Sequence, residues 1–222
     1  MALPYKKIRS ISPISKLIRF TCFKSKIPIT IFYSKYVNGE PGQGITKARD
    51  INTITDIKPL FREFEVLLRN LKPDEELAIH SLVESNGIKY HLPQIDFSNP
   101  TNEEIFESLR KLQNYFNYDI YLFKSGRSYH AYFDGLLNEE EWKKFLAKLI
   151  LLNRQNLNID IVDVRWVGWS LDNGFSALRL SKNTPLYLSY PEYLDKIPKK
   201  GQSSPTFNFV SKLLSRISHK PH

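Results

Sequence analysis

The residues whose types and spacing suggest chemistry lie in Tyr118–Asp134, which reads YDIYLFKSGRSYHAYFD. Two aromatic-rich runs flank the short break Ser125–Ser128, a pattern that predicts a β-hairpin. The predicted turn presents a hydroxyl, a guanidinium and the nearby imidazole of His130, beside backbone N–H groups at a glycine. Such groups can hold a phosphate or another polar substrate. Taken by itself, the pattern leaves an ordinary surface turn as the alternative.

The elements predicted around this hairpin follow a regular order. They are strand Ile88–Phe97, a helix after the capping box of Thr101 and Glu104, the two hairpin strands, a helix after the capping box of Asn138 and Glu141, and strands Ile159–Trp166 and Phe175–Ser181. The first six form β-α-β-β-α-β, the order of ferredoxin-like and RRM folds in the α+β class. Because both helices then cover one sheet face, we expect the other face to be open.

Side-chain alternation along the strands assigns a set of polar residues to this open face. They are Gln94, Asp96, His130, Tyr132, Asp163 and Arg165. In the strand order usual for this fold, the first strand lies between the third and the fourth, so Asp96, His130 and Asp163 converge. Two neighbouring carboxylates repel each other unless a cation or a shared proton compensates.

Mg²⁺ or Mn²⁺ suits oxygen ligands and a phosphate substrate, so the convergence predicts a metal and phosphate site. Asp96 and Asp163 would hold the ion. The predicted phosphate ligands are Ser125, Arg127, His130 and Arg179, with Lys182 as a further basic residue. A solvated or salt-bridged role stays open for each acid, and so does a same-face pair of Asp163 with Arg165.

Three short motifs, in this order, resemble the archaeo-eukaryotic primases, also called primase-polymerases. Leu92–Phe97 (LPQIDF) resembles the metal-binding Asp-x-Asp strand, Ser125–His130 (SGRSYH) the Ser-Gly-x-Gly-x-His element, and Ile161–Asp163 the third acidic motif. Phe175–Ser181 is similar to the Arg-bearing strand that follows it in the family. The resemblance covers residues 88–183. It implies a core that binds nucleoside triphosphates and nucleic acid and uses Mg²⁺ or Mn²⁺ for nucleotidyl transfer in DNA replication.

By this resemblance, the chain is identified as a small stand-alone primase-polymerase with a degenerate first metal motif. Asp96, Asp163 and His130 are the implied catalytic residues, and Gln94 stands where the family has its first metal-binding carboxylate. An amide binds a hard cation less well than a carboxylate does. A metal-dependent nucleotidyltransferase and a catalytically inactive domain that binds nucleic acid or nucleotide therefore both stay open, as does a ferredoxin-like domain with unrelated chemistry.

Composition and charge lead to expectations about the domain organisation and the partners of the chain. The chain has 222 residues, 41% of them hydrophobic, and a net charge of +9. We divide it into a basic N-terminal segment (1–28), an α/β extension (29–87), the core (88–195) and a basic linker with an amphipathic tail helix (196–222). Residues 1–39 and 196–222 contain no acidic residue, which favours contact with DNA or RNA, solubility being the alternative.

No apolar run approaches the roughly 20 residues of a membrane span, so we expect no membrane partner. A cytoplasmic location is the expectation, with organellar targeting by the N-terminal segment as the alternative. The single cysteine excludes an internal disulfide and a Cys-based zinc site.

In the extension, the residue pattern predicts strand Ile29–Tyr33, a Gly/Pro loop over 38–44, helix Lys58–Leu71 and strand Leu77–Val83. Asn86-Gly87 predicts a hairpin turn after the last of these.

Overall fold

This computed structural model contains two antiparallel sheets and the helices that follow their strands. It describes residues 30–37, 50–54, 66–98, 100–153, 160–187 and 189–202. In chain order the strands are β1 (Thr30–Val37), β2 (Asp50–Ile54), β3 (Glu75–Ser85), β4 (Ile88–His91), β5 (Gln94–Asp96), β6 (Ile120–Ser125), β7 (Ser128–Phe133), β8 (Ala177–Arg179) and β9 (Glu192–Ile197). The helices are α1 (Asn102–Gln113), α2 (Glu139–Ile150) and α3 (Val164–Asn173). The class is α+β, as the element order predicts.

The first sheet has the order β2-β1-β3-β4, and β8 also pairs with β3. The predicted strands of the extension are confirmed, since β1 contains most of Ile29–Tyr33 and β3 contains Leu77–Val83. Asn86 and Gly87 form the turn between β3 and β4, with φ of 51° and 75°. These left-handed conformations are the reason Asn-Gly favours a tight hairpin turn.

The second sheet has the order β5-β7-β6-β9, with antiparallel neighbours throughout. Both predicted capping boxes are present ahead of α1 and α2. Each helix buries its apolar stripe in the core, namely Ile105, Leu109, Leu112, Trp142, Phe145, Leu146 and Leu149. These helices therefore cover one face of the sheet that carries the hairpin.

The predicted single strand Ile88–Phe97 is wrong, because the chain crosses between the sheets at Leu92 and Pro93. The Leu92 N–H donates to the Ser81 carbonyl in the first sheet at 2.7 Å, whereas the Pro93 carbonyl accepts from the Phe133 N–H in the second at 3.0 Å. Proline has no N–H to donate to a ladder, so it marks the point where one sheet ends and the next begins.

The predicted strand Ile159–Trp166 is also wrong, because Val164–Asn173 is helical. Asp163 caps this helix, its Oδ1 accepting from the backbone N–H groups of Arg165 (2.9 Å) and Trp166 (3.2 Å). The fourth strand of the predicted core is reduced to one bridge between Phe97 and Val162. Alternation of apolar residues suggested a strand, but an aspartate cap satisfies the first N–H groups of a helix.

The predicted strand Phe175–Ser181 is shortened to β8 and pairs with β3 in the first sheet. The complete β-α-β-β-α-β sheet of a ferredoxin-like fold is therefore not present in the described residues.

Of the predicted helix Lys58–Leu71, residues 66–71 are described, and 66–69 are helical. Residues 1–28, the loop 38–44 and the predicted tail helix Phe207–Ile217 lie outside the described residues. The proposed domain boundaries stay predictions. Among the helices that the structure describes, none has the length and hydropathy needed to cross a membrane.

Candidate functional site

Four of the polar residues predicted for the open face share one face of the second sheet. In the β5–β7 register, Gln94 lies opposite Tyr132 and Asp96 lies opposite His130. Directly opposed residues of antiparallel strands project to the same side, with their Cβ atoms about 5 Å apart. We call Gln94, Asp96, His130 and Tyr132, together with Asp163 and Arg179 described below, the inter-sheet site.

The expectation that this face is open is wrong. Gln94, His130 and Tyr132 are 1%, 4% and 1% exposed, although their strands were expected to face solvent. The cover comes from the first sheet: the Ser176 hydroxyl, one residue before β8, donates to Gln94 Oε1 at 3.4 Å. The pairing of β8 with β3 thus brings the two sheets together at the site. Asp96 keeps 27% of its side chain exposed and forms the solvent edge.

The electrostatics of the site centre on Asp96. Burial, and then the carboxylate of Asp163, raise the pKa of Asp96 from 3.8 to about 7, with the Arg179 guanidinium acting in the opposite direction. The backbone N–H of Asp163 donates to the Asp96 carbonyl at 3.2 Å, so the two acidic segments are adjacent. The prediction that Asp163 lies on a strand is nevertheless wrong, since it caps α3.

His130 contributes a neutral imidazole. Its Nε2 lies 3.6 Å from Asp96 Oδ1. Burial, followed by the Arg179 guanidinium, holds the pKa of His130 well below 6.5. A neutral imidazole has one donor and one acceptor nitrogen, so it can donate a hydrogen bond to a ligand without adding a positive charge.

Arg179 is the buried cation of the site, with 2% exposure. Its Nη2 donates to Ser125 Oγ at 3.2 Å and its Nη1 to the carbonyls of Ser189 (3.2 Å) and Ser181. The guanidinium also lies 3.8 Å from the ring centroid of Tyr187. These partners are all neutral. Arg179 therefore places a desolvated positive charge next to Asp96 and His130.

Three other predicted basic residues have exposed side chains and are not part of the buried site. Arg127 lies in the β6–β7 turn, Arg165 lies in the first turn of α3, and Lys182 follows β8. Their long side chains reach solvent, where an ionic contact contributes little.

Sequence reasoning did not identify Ser176 and Tyr187 as neighbours of the site. Ser176 precedes β8 and bonds Gln94, and Tyr187 packs on Arg179. Both contacts depend on the pairing of β8 with the first sheet, and no local pattern around either residue signals it. Only the alternation of apolar and polar residues through 175–181 placed Arg179 and its neighbours on a strand.

Several buried polar atoms of the site have no hydrogen-bond partner among the described residues. They are Gln94 Nε2, His130 Nδ1 and the Tyr132 hydroxyl. An unsatisfied buried polar atom costs about 1–3 kcal/mol, so three on one face are costly unless something polar contacts them.

The donor set does not fit the two divalent ions that the primase resemblance implies. Asp163 Oδ1 is used by two N–H donors of α3, and the Gln94 amide oxygen faces Ser176. Within the described residues, no group of three or more His, Cys, Asp or Glu side chains is placed to hold a metal ion. Two-metal centres are bridged and neutralised by carboxylates, which Gln94 cannot supply.

Comparison with known proteins gives one family. The family model described as "AEP-like: Archaeo-eukaryotic primase 1D-like" matches residues 61–192. This match covers more than half of the 222 residues and includes every residue of the inter-sheet site. No curated protein and no solved structure matches the chain. The three motifs and the family match agree: the chain belongs to the archaeo-eukaryotic primase-like family.

Proposed function

We propose that this primase-like domain binds a nucleoside triphosphate at the inter-sheet site and does not carry out two-metal nucleotidyl transfer. The observation that carries the proposal is Arg179, a cation with 2% exposure whose hydrogen-bond and ring partners in the described residues are neutral, and whose acidic neighbour Asp96 has a pKa raised to about 7. A buried charge is costly unless an opposite charge compensates it. A phosphate group would supply that charge and match the planar guanidinium.

The surrounding residues have defined parts in this proposal. Ser125 Oγ accepts from Arg179 Nη2 and so orients the guanidinium. His130 would donate a hydrogen bond to a phosphate oxygen as a neutral imidazole. With a pKa of about 7, Asp96 is about half protonated near neutral pH, so its repulsion of an anion is reduced.

Nucleotidyl transfer is the second candidate, and one observation favours it. Asp163 is, after burial, the second cause of the raised pKa of Asp96, so the two carboxylates are close enough to repel each other. Gln94 argues against it, because the amide replaces the carboxylate that the family motif supplies. Primer extension with Mg²⁺ or Mn²⁺ over a range of templates tests this candidate, and we expect no product from the wild-type chain.

Nucleic-acid binding through the basic ends is a separate proposal, since most of their residues lie outside the described part. It rests on the charge distribution alone and predicts an affinity for single strands that falls as salt rises.

The test of nucleotide binding is isothermal titration with a deoxynucleoside triphosphate and Mn²⁺. We expect saturable binding by the wild type, and a loss of about tenfold or more in Arg179→Lys, since a hydrogen bond to a charged group contributes about 1.5–3 kcal/mol. Ser125→Ala, which removes one small side-chain contact, should weaken binding less. Arg165→Ala is the matched control, because that exposed arginine lies outside the site. Absence of wild-type binding would refute the proposal.

A further inference from the structure

We propose that the site binds the phosphate chain of its ligand without a divalent ion, using the Gln94 amide and the Tyr132 hydroxyl as direct donors beside Arg179. The inference rests on the proposed nucleotide binding and deepens it. It specifies that the ligand binds as a free polyphosphate and not as a complex with a metal ion.

Gln94 provides the first step. Its Oε1 accepts from the Ser176 hydroxyl at 3.4 Å, which leaves Nε2 as the group with no partner in the described residues. An amide NH₂ only donates hydrogen bonds and cannot coordinate a cation. In a side chain that is 1% exposed, such a donor requires an acceptor. The position that would bind a metal as a carboxylate is therefore suited to a phosphate oxygen.

Tyr132 provides the second donor. It lies directly opposite Gln94 across the β5–β7 ladder, and its hydroxyl is buried with no partner in the described residues. Phe123 packs edge-on against its ring, with the centroids 5.3 Å apart, and so restricts the movement of the ring that carries the hydroxyl. Burial raises the pKa of Tyr132 above its ordinary value, so the hydroxyl keeps its proton at neutral pH.

Charge balance is the third step. A divalent ion normally neutralises the phosphate chain in a two-metal site. Here Gln94 stands in place of one of the metal-binding carboxylates. Arg179 supplies a buried positive charge that is close enough to affect the pKa values of both Tyr132 and Asp96. Two neutral donors and one cation on the same side of the sheet complement an anion and not a cation.

The experiment titrates the wild-type chain with inorganic tripolyphosphate and, separately, with a deoxynucleoside triphosphate, each in EDTA and in Mn²⁺. We expect binding of both ligands in EDTA, with dissociation constants within about threefold of those in Mn²⁺. Gln94→Asp should weaken binding in EDTA by about tenfold or more, because a carboxylate repels phosphate where the amide donated to it. In Mn²⁺ the same variant should recover binding.

Tyr132→Phe removes one oxygen and keeps the ring, so it should weaken binding in EDTA by about fivefold to tenfold. Matched controls are Gln202→Asp and Tyr115→Phe, which change exposed residues outside the site and should bind as the wild type does. Circular dichroism and thermal unfolding check that each variant is folded, and if Gln94→Asp fails that check, Tyr132→Phe decides the result.

The outcomes separate the two proposals. Wild-type binding in Mn²⁺ that disappears in EDTA overturns metal-free binding and leaves nucleotide binding in place. Binding in EDTA that neither variant changes also overturns it, because the anion then lies elsewhere on this basic chain. If neither ligand binds under either condition, the proposed function fails as well.

Discussion

Replacing Asp96 by Asn should stabilise the protein at alkaline pH and flatten the dependence of its stability on pH. The pKa of Asp96 is raised from 3.8 to about 7, first by burial and then by Asp163. Between these two values the folded protein binds a proton that the unfolded chain has lost, so its free energy of unfolding falls as the pH rises from about 4 to about 7. Below about pH 4 the ionisation of Asp96 does not lower the free energy of unfolding, and above about pH 7 it lowers it by the full amount.

The size of the stability difference between Asp96→Asn and the wild type follows from the same pKa shift. One pKa unit corresponds to about 1.4 kcal/mol, so the ionised carboxylate costs at most roughly 4 kcal/mol at pH 8. Asparagine has nearly the same shape and cannot ionise. The difference in free energy of unfolding between Asp96→Asn and wild type should therefore grow from under about 1 kcal/mol near pH 4 to several kcal/mol at pH 8.

Denaturant unfolding at a series of pH values from 4 to 8 measures this difference. Asp172→Asn is the matched control, since Asp172 is exposed and lies at the opposite end of α3 from Asp163. Its stability curve should run parallel to that of the wild type. The reasoning would be refuted by an Asp96→Asn curve that also runs parallel to the wild type, or that lies below it at pH 8.

Other substitutions test the local structure around the site. Asp163→Ala should lower the free energy of unfolding by about 1 kcal/mol because α3 loses its cap, whereas Asp163→Asn should retain it; equal losses in thermal unfolding would contradict the capping role. Gly168→Ala should raise stability by up to about 1 kcal/mol, because Gly168 lies inside α3 and a Cβ there meets no atom. Gly135→Ala should lower it by about 1–3 kcal/mol, because the added Cβ overlaps the Tyr118 ring; similar denaturation midpoints for these two alanine variants would refute that contrast.

Features with strong local chemistry were predictable from the sequence. The capping boxes at Thr101 and Asn138, the Asn86-Gly87 turn and the hairpin around Gly126 are each encoded within a few residues, and the structure contains all of them. The motifs that suggested a primase-like core were also sufficient, since the family match confirms that membership.

Features that depend on distant pairing were not predictable. Residues 159–166 alternate in polarity as a strand does, yet Asp163 starts a helix there, because the cap and the buried Trp166 of α3 stabilise the helical alternative. The cover over His130 likewise depends on β8 joining the first sheet rather than the second. A single sequence holds no signal for that choice, because either sheet would bury the same apolar residues of β8.

The pairing of β8 with β3 also limits the order in which the parts of the protein can fold. Leu77 donates to Ser181 across 104 residues of sequence, and Asn183 donates to the carboxylate of Glu76 across 107. Contacts of such high sequence separation form late, because a long loop must close first. During synthesis β5, β6 and β7 can therefore pair before Arg179 and β9 have been added, with Asp96 and His130 still in contact with water. A phosphate ligand that needs Arg179 would bind only the finished chain, and by mass action it would stabilise that last folding step.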